Sequence, residues 1–442
     1  MNQTPIKGLG KVNADDIVSI AERFGTPIYV YDESAILDRC SEVLSMPNAF
    51  GLMPRYAMKA NSNSSLLRLI ADSGFNIDAS SLNEVRRMRL AGIPYNKAML
   101  TTQEIPIGKD RRDLETMILN GMNYNVCSFA QLQHITQFAY ENEIPLSMRV
   151  HPGVGSGESQ TRNTGDKYSC FGIHLSDIEE VLRYAKHIGI KFNQIHVHIG
   201  SGGDPEKWKE NVDREIGFVE KYFPDVRTVN FGGGFKVARM PGEKSADIKE
   251  LGEYAKKRIE EFYERTDRKL SIEVEPGTYI MANSGFIITT AIDRKKTGED
   301  GFEFMVLNGG MEINSRPLYY GSKHPFYVIS KGGNLLSSEF ELSGFDKEKD
   351  SRILVGRCCE SGDSQSLDET GHIVPRVMAL PKLMDYVVIG GCGAYCSSMT
   401  PFNYNSHTQA PEVLLRKDKS LHLIRKPQSL RQVVQNEINI SL

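Results

Sequence analysis

Along the first two thirds of the chain, short runs of β-branched and aromatic residues alternate with stretches whose apolar residues recur every three or four positions. The first pattern reads as strand and the second as amphipathic helix. Eight strand candidates fall at 55–61, 75–81, 98–103, 122–128, 146–152, 195–201, 226–234 and 270–277. Between them lie helical patterns such as SSLLRLIADSG, LNEVRRMRLAG, DIEEVLRYAKHIG and ADIKELGEYAKKRIEEFYERT. Several open on a Ser or Asp able to cap the first turn and close on a Gly able to end the last. Eight strands, each followed by a crossover, predict a closed (β/α)8 TIM-like barrel, because eight parallel strands can close without leaving an edge.

After about residue 283 the pattern changes. FIITTAI, FEFMVLN, FYVIS, RILVG, DYVVIG and EVLLRK are β-type runs joined by Gly, Pro and Asn turns, which predicts a mostly antiparallel β domain. PIYVYD (27–32) precedes the barrel and is expected to pair into that second sheet, and SLRQVVQNEI near the end reads as one short helix. The expected domains are therefore a barrel over 36–282 and a β domain built from 1–35 with 283–442.

At 442 residues the chain can bury two cores. With 40% apolar and 25% charged residues it has the balance of an ordinary globular protein. The net charge of −3 comes without a Lys/Arg block, so neither nucleic acid nor a membrane surface is expected as a partner. The N-terminus lacks the apolar run of a signal peptide and no segment approaches a membrane span, which leads us to expect a cytoplasmic protein. Seven scattered cysteines form no disulfide framework, and Cys392 and Cys396 lack the second ligand pair that zinc would want.

Chemistry in such barrels sits where strands end and βα loops begin. Lys59, in RYAMKANSN, closes the first run; His196 and His198, in HVHIGSGG, close the sixth; Gly232, Gly233 and Gly234 close the seventh; Glu275 closes the eighth. Each has an ordinary explanation: a strand-end lysine reaching water, a satisfied histidine, a sharp turn. Three glycines weaken a strand, however, and their backbone amides can converge on a phosphate, helped by Ser201 in the neighbouring loop. The His-x-His pair, with His151, could instead hold zinc in a barrel hydrolase, although the eighth strand offers Glu-Pro-Gly where an aspartate ligand is wanted. Phosphate cradle, imidazole face, carboxylate and lone lysine together suggest pyridoxal 5'-phosphate. The lysine would form the Schiff base, its pKa lowered by burial, and the carboxylate would keep the pyridine nitrogen protonated.

YAMKAN, HVHIGSG, FGGGF, EPG, CESGD and GAYCSSM, in this order, resemble the barrel-type (fold type III) pyridoxal phosphate decarboxylases, whose ornithine, arginine and diaminopimelate members share an alanine-racemase-like two-domain architecture. The likeness is strongest to the diaminopimelate branch and runs from about residue 25 to about 410. It implies Lys59 as the Schiff-base lysine, His198 on the cofactor ring, Ser201 with Gly232 to Gly234 on its phosphate, and Glu275 on its nitrogen. Gly277 and Thr278 follow in the same cofactor loop. It further implies Arg316 and Tyr320, in NSRPLYYG, as substrate contacts. Cys359 would be the thiol that reaches across a homodimer interface to protonate the carbanion, Glu360 would recognise a distal amine, and Tyr395 would touch both cofactor and substrate. Read without the family, Cys358 and Cys359 are buried small residues and NSRPLYYG a surface loop.

Three positions depart from the family. Its Glu-Pro-Gly motif ends in arginine, but here Thr278 follows; its Ser-Lys-Phe-Gly reads Ser169-Cys170-Phe171-Gly172; and LTTQEIP (100–106) lacks the usual Asn-Lys. The implied activity is decarboxylation of meso-diaminopimelate to L-lysine. Lysine or ornithine of either configuration, or a modified amino acid, is the alternative that Thr278 raises. A racemase sharing barrel and cofactor would want a weakly basic partner at the pyridine nitrogen, against which Glu275 speaks, and a non-catalytic relative would not need both Lys59 and Cys359.

Overall fold

The computed structural model describes residues 4–153, 165, 167–200, 203–438 and 440. All eight runs become strands: β1 (Leu52–Ala57), β2 (Asn76–Ala79), β3 (Ala98–Leu100), β4 (Asn123–Val126), β5 (Leu146–His151), β6 (Phe192–His196), β7 (Thr228–Asn230) and β8 (Ser271–Val274). Each pairs in parallel with the next, and β8 returns to β1 with Ile272 beside Leu52, so the ring closes. The strands are shorter than the runs that announced them. The polar residues closing those runs lie past the last ladder bond, at the mouth of the barrel.

Local sequence explains where the crossover helices begin. Asn63 accepts from Ser65 N ahead of Ser64–Asp72, and Ser81 accepts from Glu84 N while Glu84 reaches back to Ser80 N. Ser128, Asp204 and Asp247 cap Phe129–Glu141, Pro205–Tyr222 and Ile248–Thr266 in the same way. Helix Pro205–Tyr222 turns Trp208 against Phe231 and Phe235, with ring centroids 5.7 and 5.6 Å apart, and Trp208 is fully buried there.

The barrel interior is not wholly apolar. Arg55 Nε and Nη2 each donate to Glu273 across 2.7 Å, and Gln194 and Asn230 donate to the same carboxylate. Both charged groups are buried. A buried pair contributes little net stability when intact, but losing one partner strands the other charge. Glu273→Ala is therefore expected to destabilise the chain by about 3–5 kcal/mol, read as a lower denaturation midpoint, whereas Arg55→Leu with Glu273→Leu together should cost less than Glu273→Ala alone.

By contact density the chain divides into one unit of Arg39–Val237 with Lys244–Tyr279, which holds the barrel, and another of Met1–Asp38, Ala238–Glu243 and Ile280–Leu442. The second unit is a mostly antiparallel sheet. Its spine runs Leu335–Ser338, Phe326–Ile329, Tyr386–Ile389, Gly285–Lys296, Ile28–Asp32, Glu412–Leu415, Leu421–Arg425. The N-terminal run does enter it: Ile28–Tyr31 pairs antiparallel with Gly285–Ile288, and Tyr29–Asp32 pairs parallel with Glu412–Leu415. Ile17, Ile20, Ile28, Val30, Ile288 and Val388 form its apolar core. A one-turn helix, Leu430–Val433, is capped by Ser429. Among the described residues no helix is long and apolar enough to cross a membrane.

Candidate active site

Four strand ends bring the expected barrel residues to one mouth. Lys59 sits in a single 3-10 turn, Met58–Ala60, directly after β1; Met58 and Ala60 are buried while the lysine side chain is exposed. Its expected burial is thus absent, since the turn roots the backbone and sends the amine outward. Gly277 holds the turn in place: a Cβ there would stand 3.2 Å from Ala57 Cβ and Ala60 Cβ. Thr278 begins the one-turn helix Thr278–Met281, so this loop presents a hydroxyl where a cation could stand.

Glu275, buried just past β8, accepts from Asn230 Nδ2 at 2.8 Å and from His196 Nε2 at 3.2 Å. Behind His196, its Nδ1 lies 2.8 Å from Asn125 Nδ2, and Asn125 Oδ1 accepts from Ser147 Oγ at 3.0 Å. Asn125 therefore donates to Nδ1 and leaves the Nε2 proton to point at Glu275. Burial alone would raise the Glu275 pKa. His196, His198 and Lys59 outweigh it and hold the carboxyl well below its ordinary range, as an anion. His198 is half-buried, and burial, then the charges of Lys59 and Arg149, keep its imidazole neutral. Its Nδ1 accepts from Gly233 N at 3.0 Å. The two histidines thus serve different partners, and the hydrolase reading of a shared metal has no support from their geometry.

The glycines are required by packing. A Cβ at Gly232 would lie 2.6 Å from Val197 O, at Gly233 2.5 Å from Glu275 O, and at Gly234 2.7 Å from Gly200 O, with φ of +67° at Gly232 and +95° at Gly234. Their amides do not all converge on one point, as the sequence led us to expect. Gly232 N donates to Asn230 Oδ1 and Gly233 N to His198 Nδ1, which orients the ring instead. Ser201 lies outside the described residues.

Two further residues went unnoticed in the sequence. Asp78, at β2, is buried, and among the described residues its Oδ1 has no hydrogen-bond partner. Burial and the charge of Glu275 push its pKa up, with Lys59 opposing. Arg149, at β5, is buried with its guanidinium 4.9 Å from the Phe171 ring centre. The signal for both was a single charge inside a run otherwise read as strand.

In the β unit, Arg316 opens the short helix Arg316–Tyr320 and is buried, so NSRPLYYG is not a surface loop. Its guanidinium stands 5.7 Å from the Tyr320 ring centre and 5.9 Å from that of Tyr395, and the Tyr320 hydroxyl meets Met399 Sδ at 3.7 Å. Tyr395 holds a left-handed φ of +57°. Cys358 is buried and lies 3.5 Å from Glu312 Oε2, as a small core residue should. Cys359 beside it is exposed, its backbone amide held by Asn405 Oδ1 at 2.7 Å. Asp363 accepts from the amides of Met311 and Cys358, which fixes the turn that presents Cys359 and Glu360. Exposed Glu360 accepts from Tyr404 Oη at 2.9 Å, and that hydroxyl, with the amides nearby, keeps its pKa below the ordinary value.

These residues suit pyridoxal phosphate. An outward lysine, a neutral imidazole face and a carboxylate kept anionic in a buried setting are the donor set its aldehyde, ring and pyridinium nitrogen require.

Comparison with known proteins agrees. The family described as "Pyridoxal-dependent decarboxylase, pyridoxal binding domain" matches residues 36–282, more than half of the chain. A diaminopimelate decarboxylase of Buchnera aphidicola subsp. Baizongia pistaciae is 29% identical over 439 residues, covering 98% of this chain and 99% of the relative. A crystal structure of a diaminopimelate decarboxylase superposes with a TM-score of 0.85 at 27% identity, over 98% of this chain and 99% of that one. The Helicobacter pylori diaminopimelate decarboxylase, solved in complex with L-lysine, gives 0.76 at 26% identity over 95% and 98%. On this family match, the closed barrel and the antiparallel β unit, the chain belongs to the fold type III pyridoxal phosphate-dependent decarboxylases and is a carboxy-lyase.

Proposed function

We propose that the chain releases CO2 from meso-diaminopimelate to give L-lysine, using pyridoxal phosphate bound at the barrel mouth. Lys59, His198, Gly232 to Gly234, Ser201, Glu275, Gly277, Thr278 and Tyr395 would hold the cofactor. When bound, the cofactor supplies an electron sink for the pair left by the departing carboxylate. Glu275 keeps a proton at the ring nitrogen, and the His196–Asn125–Ser147 relay keeps Glu275 anionic and aimed. His198, held neutral and oriented by Gly233 N, offers its face without adding a competing charge. The thiol of Cys359, a neutral donor at pH 7 given an ordinary pKa of about 8.5, returns a proton to the substrate α-carbon. The barrel over 36–282 would serve the cofactor, and 1–35 with 283–442 would serve substrate and a homodimer contact.

The substrate assignment rests chiefly on Arg316. Its buried guanidinium, with Nε lacking a partner among the described residues, is a ready anchor for a carboxylate remote from the reacting carbon. Glu360 offers the opposite charge for a distal amine. A substrate carrying both groups at one end uses both residues. Lysine or ornithine would leave Arg316 without its anion, so these are the weaker readings. The deciding experiment is CO2 release measured across meso-diaminopimelate and L- and D-lysine and ornithine. The expected result is a kcat/KM for diaminopimelate at least about 10-fold above the others, the worth of one charged hydrogen bond. Equal or better turnover of a substrate without the second carboxylate would remove the assignment. If Thr278 costs the enzyme a substrate cation, Thr278→Arg should raise kcat/KM for diaminopimelate.

A further inference from the structure

Three guanidinium groups gather about the buried His324 and the turn that carries Tyr395: Arg239, Arg316 and Arg376. Their effect is visible in His324 itself, which burial first, then Arg239 and Arg316, with a smaller part from Arg376, hold neutral. Arg376 is compensated: its Nε and Nη2 reach both oxygens of Glu339, at 2.8 and 2.6 Å. The other two donate to neutral acceptors. Arg316 Nη2 meets Ser322 Oγ at 3.3 Å, and Arg239 Nε meets Gly391 O at 3.2 Å. Arg316 is only 7% exposed, and its Nε has no partner among the described residues. Gly391 has a left-handed φ of +65°, and a Cβ there would stand 3.0 Å from Arg239 Cδ. Glycine thus lets the arginine arm lie along the turn.

Two like charges sharing a partly dehydrated corner repel, and a dehydrated N–H without an acceptor adds to the cost. An oxyanion with two or more oxygens would relieve both at once, by accepting from a pair of planar forks. We infer that Arg239 and Arg316 form a paired oxyanion site, in which Arg239 supplies a second positive charge that neither Thr278 nor the rest of the Glu-Pro-Gly loop provides. The inference deepens the reading of Arg316 given above. Two sources carry the required chemistry: the distal carboxylate of the substrate and the phosphate of the cofactor.

The test compares holoenzyme of wild type, Arg239→Gln and Arg239→Lys by two binding measurements that need no turnover. One is calorimetric titration with heptanedioate, a dicarboxylate without amines. The other is cofactor retention on dialysis, with pyridoxal lacking the phosphate as a control ligand for the apoprotein. Loss of a charge-assisted contact should weaken the affected ligand about 10- to 100-fold in the Gln variant and less in the Lys variant. Weaker heptanedioate binding with unchanged retention assigns the site to the substrate carboxylate. Faster loss of pyridoxal phosphate, with pyridoxal unaffected, assigns it to the phosphate. If both affinities match wild type, Arg239 is a packing strut and the inference is wrong. Should the Gln variant fail to fold, the Lys variant alone decides, because shortening the fork must lower one affinity severalfold. A chain that binds heptanedioate through Arg239 yet releases no CO2 from diaminopimelate would refute the substrate assignment and leave this site standing.

Discussion

Replacing Lys59 with alanine is expected to lower CO2 release by about three orders of magnitude or more, the upper range for losing a positioned proton-transfer group that is also the covalent anchor. Its turn is anchored by two buried neighbours, so removing an exposed side chain should leave the fold intact and the thermal midpoint near wild type. Charge alone does not explain its place. Asp78, Glu84 and Glu275 all feel the lysine, and an arginine would satisfy them equally. Lys59→Arg should therefore be as inactive as Lys59→Ala, separating amine chemistry from electrostatics. Borohydride reduction of wild-type holoenzyme, followed by peptide mapping, should place the pyridoxyl group on the peptide containing Lys59. A label elsewhere, or a Lys59→Ala enzyme that still turns over, would overturn the assignment. The same variant tests the homodimer. Mixed and refolded with Cys359→Ala, it should recover about one quarter of wild-type activity if each site takes one residue from each of two symmetric subunits, and none if both come from one.

Glu275→Gln should reduce kcat by about 100- to 1,000-fold, the usual worth of a preorganised charge aimed at a reacting group in a dry site. The substitution keeps shape and removes charge. Asn230 Nδ2 already donates to Oε1, so the new amide must turn its carbonyl there and its NH2 toward His196 Nε2. That nitrogen carries a proton in the wild type, as the Asn125 contact at Nδ1 requires, so donor would face donor. Either His196 changes tautomer and breaks with Asn125, or the glutamine side chain moves. A shifted absorption band of bound cofactor with a thermal midpoint close to wild type would identify a loss at the ring nitrogen. Wild-type kcat with an unchanged spectrum would show that Glu275 plays no part there.

Much of this was legible along the chain. A strand of this barrel is a few apolar residues ending in polar ones, and the ladder stops where backbone groups turn to side-chain or loop partners. The polar ends of the runs therefore marked the mouth, and Lys59, His198 and Glu275 could be named with their side of the barrel. Asn63, Ser81 and Asp247 could be read as caps because capping is satisfied within three residues of sequence. Asp78 and Arg149 could not, since a lone charge in a strand has meaning only through neighbours on other strands. NSRPLYYG looked like a loop because its polarity is local, whereas the burial of Arg316 comes from distant chain packed over it.

What the sequence determined by itself was periodicity, and with it the eight strands, the change to an antiparallel unit after residue 283, and the order of the motifs. Such properties depend on residues within a turn or two of each other. Tertiary structure alone decided the partners: that Gly232 and Gly233 spend their amides on Asn230 and His198, that His196 serves Glu275, that Lys59 points outward, and that Arg239 and Arg316 meet at one turn. Hydrogen bonds and charge pairs act over a few ångströms of space whatever the separation along the chain, so only the closed fold could assign them.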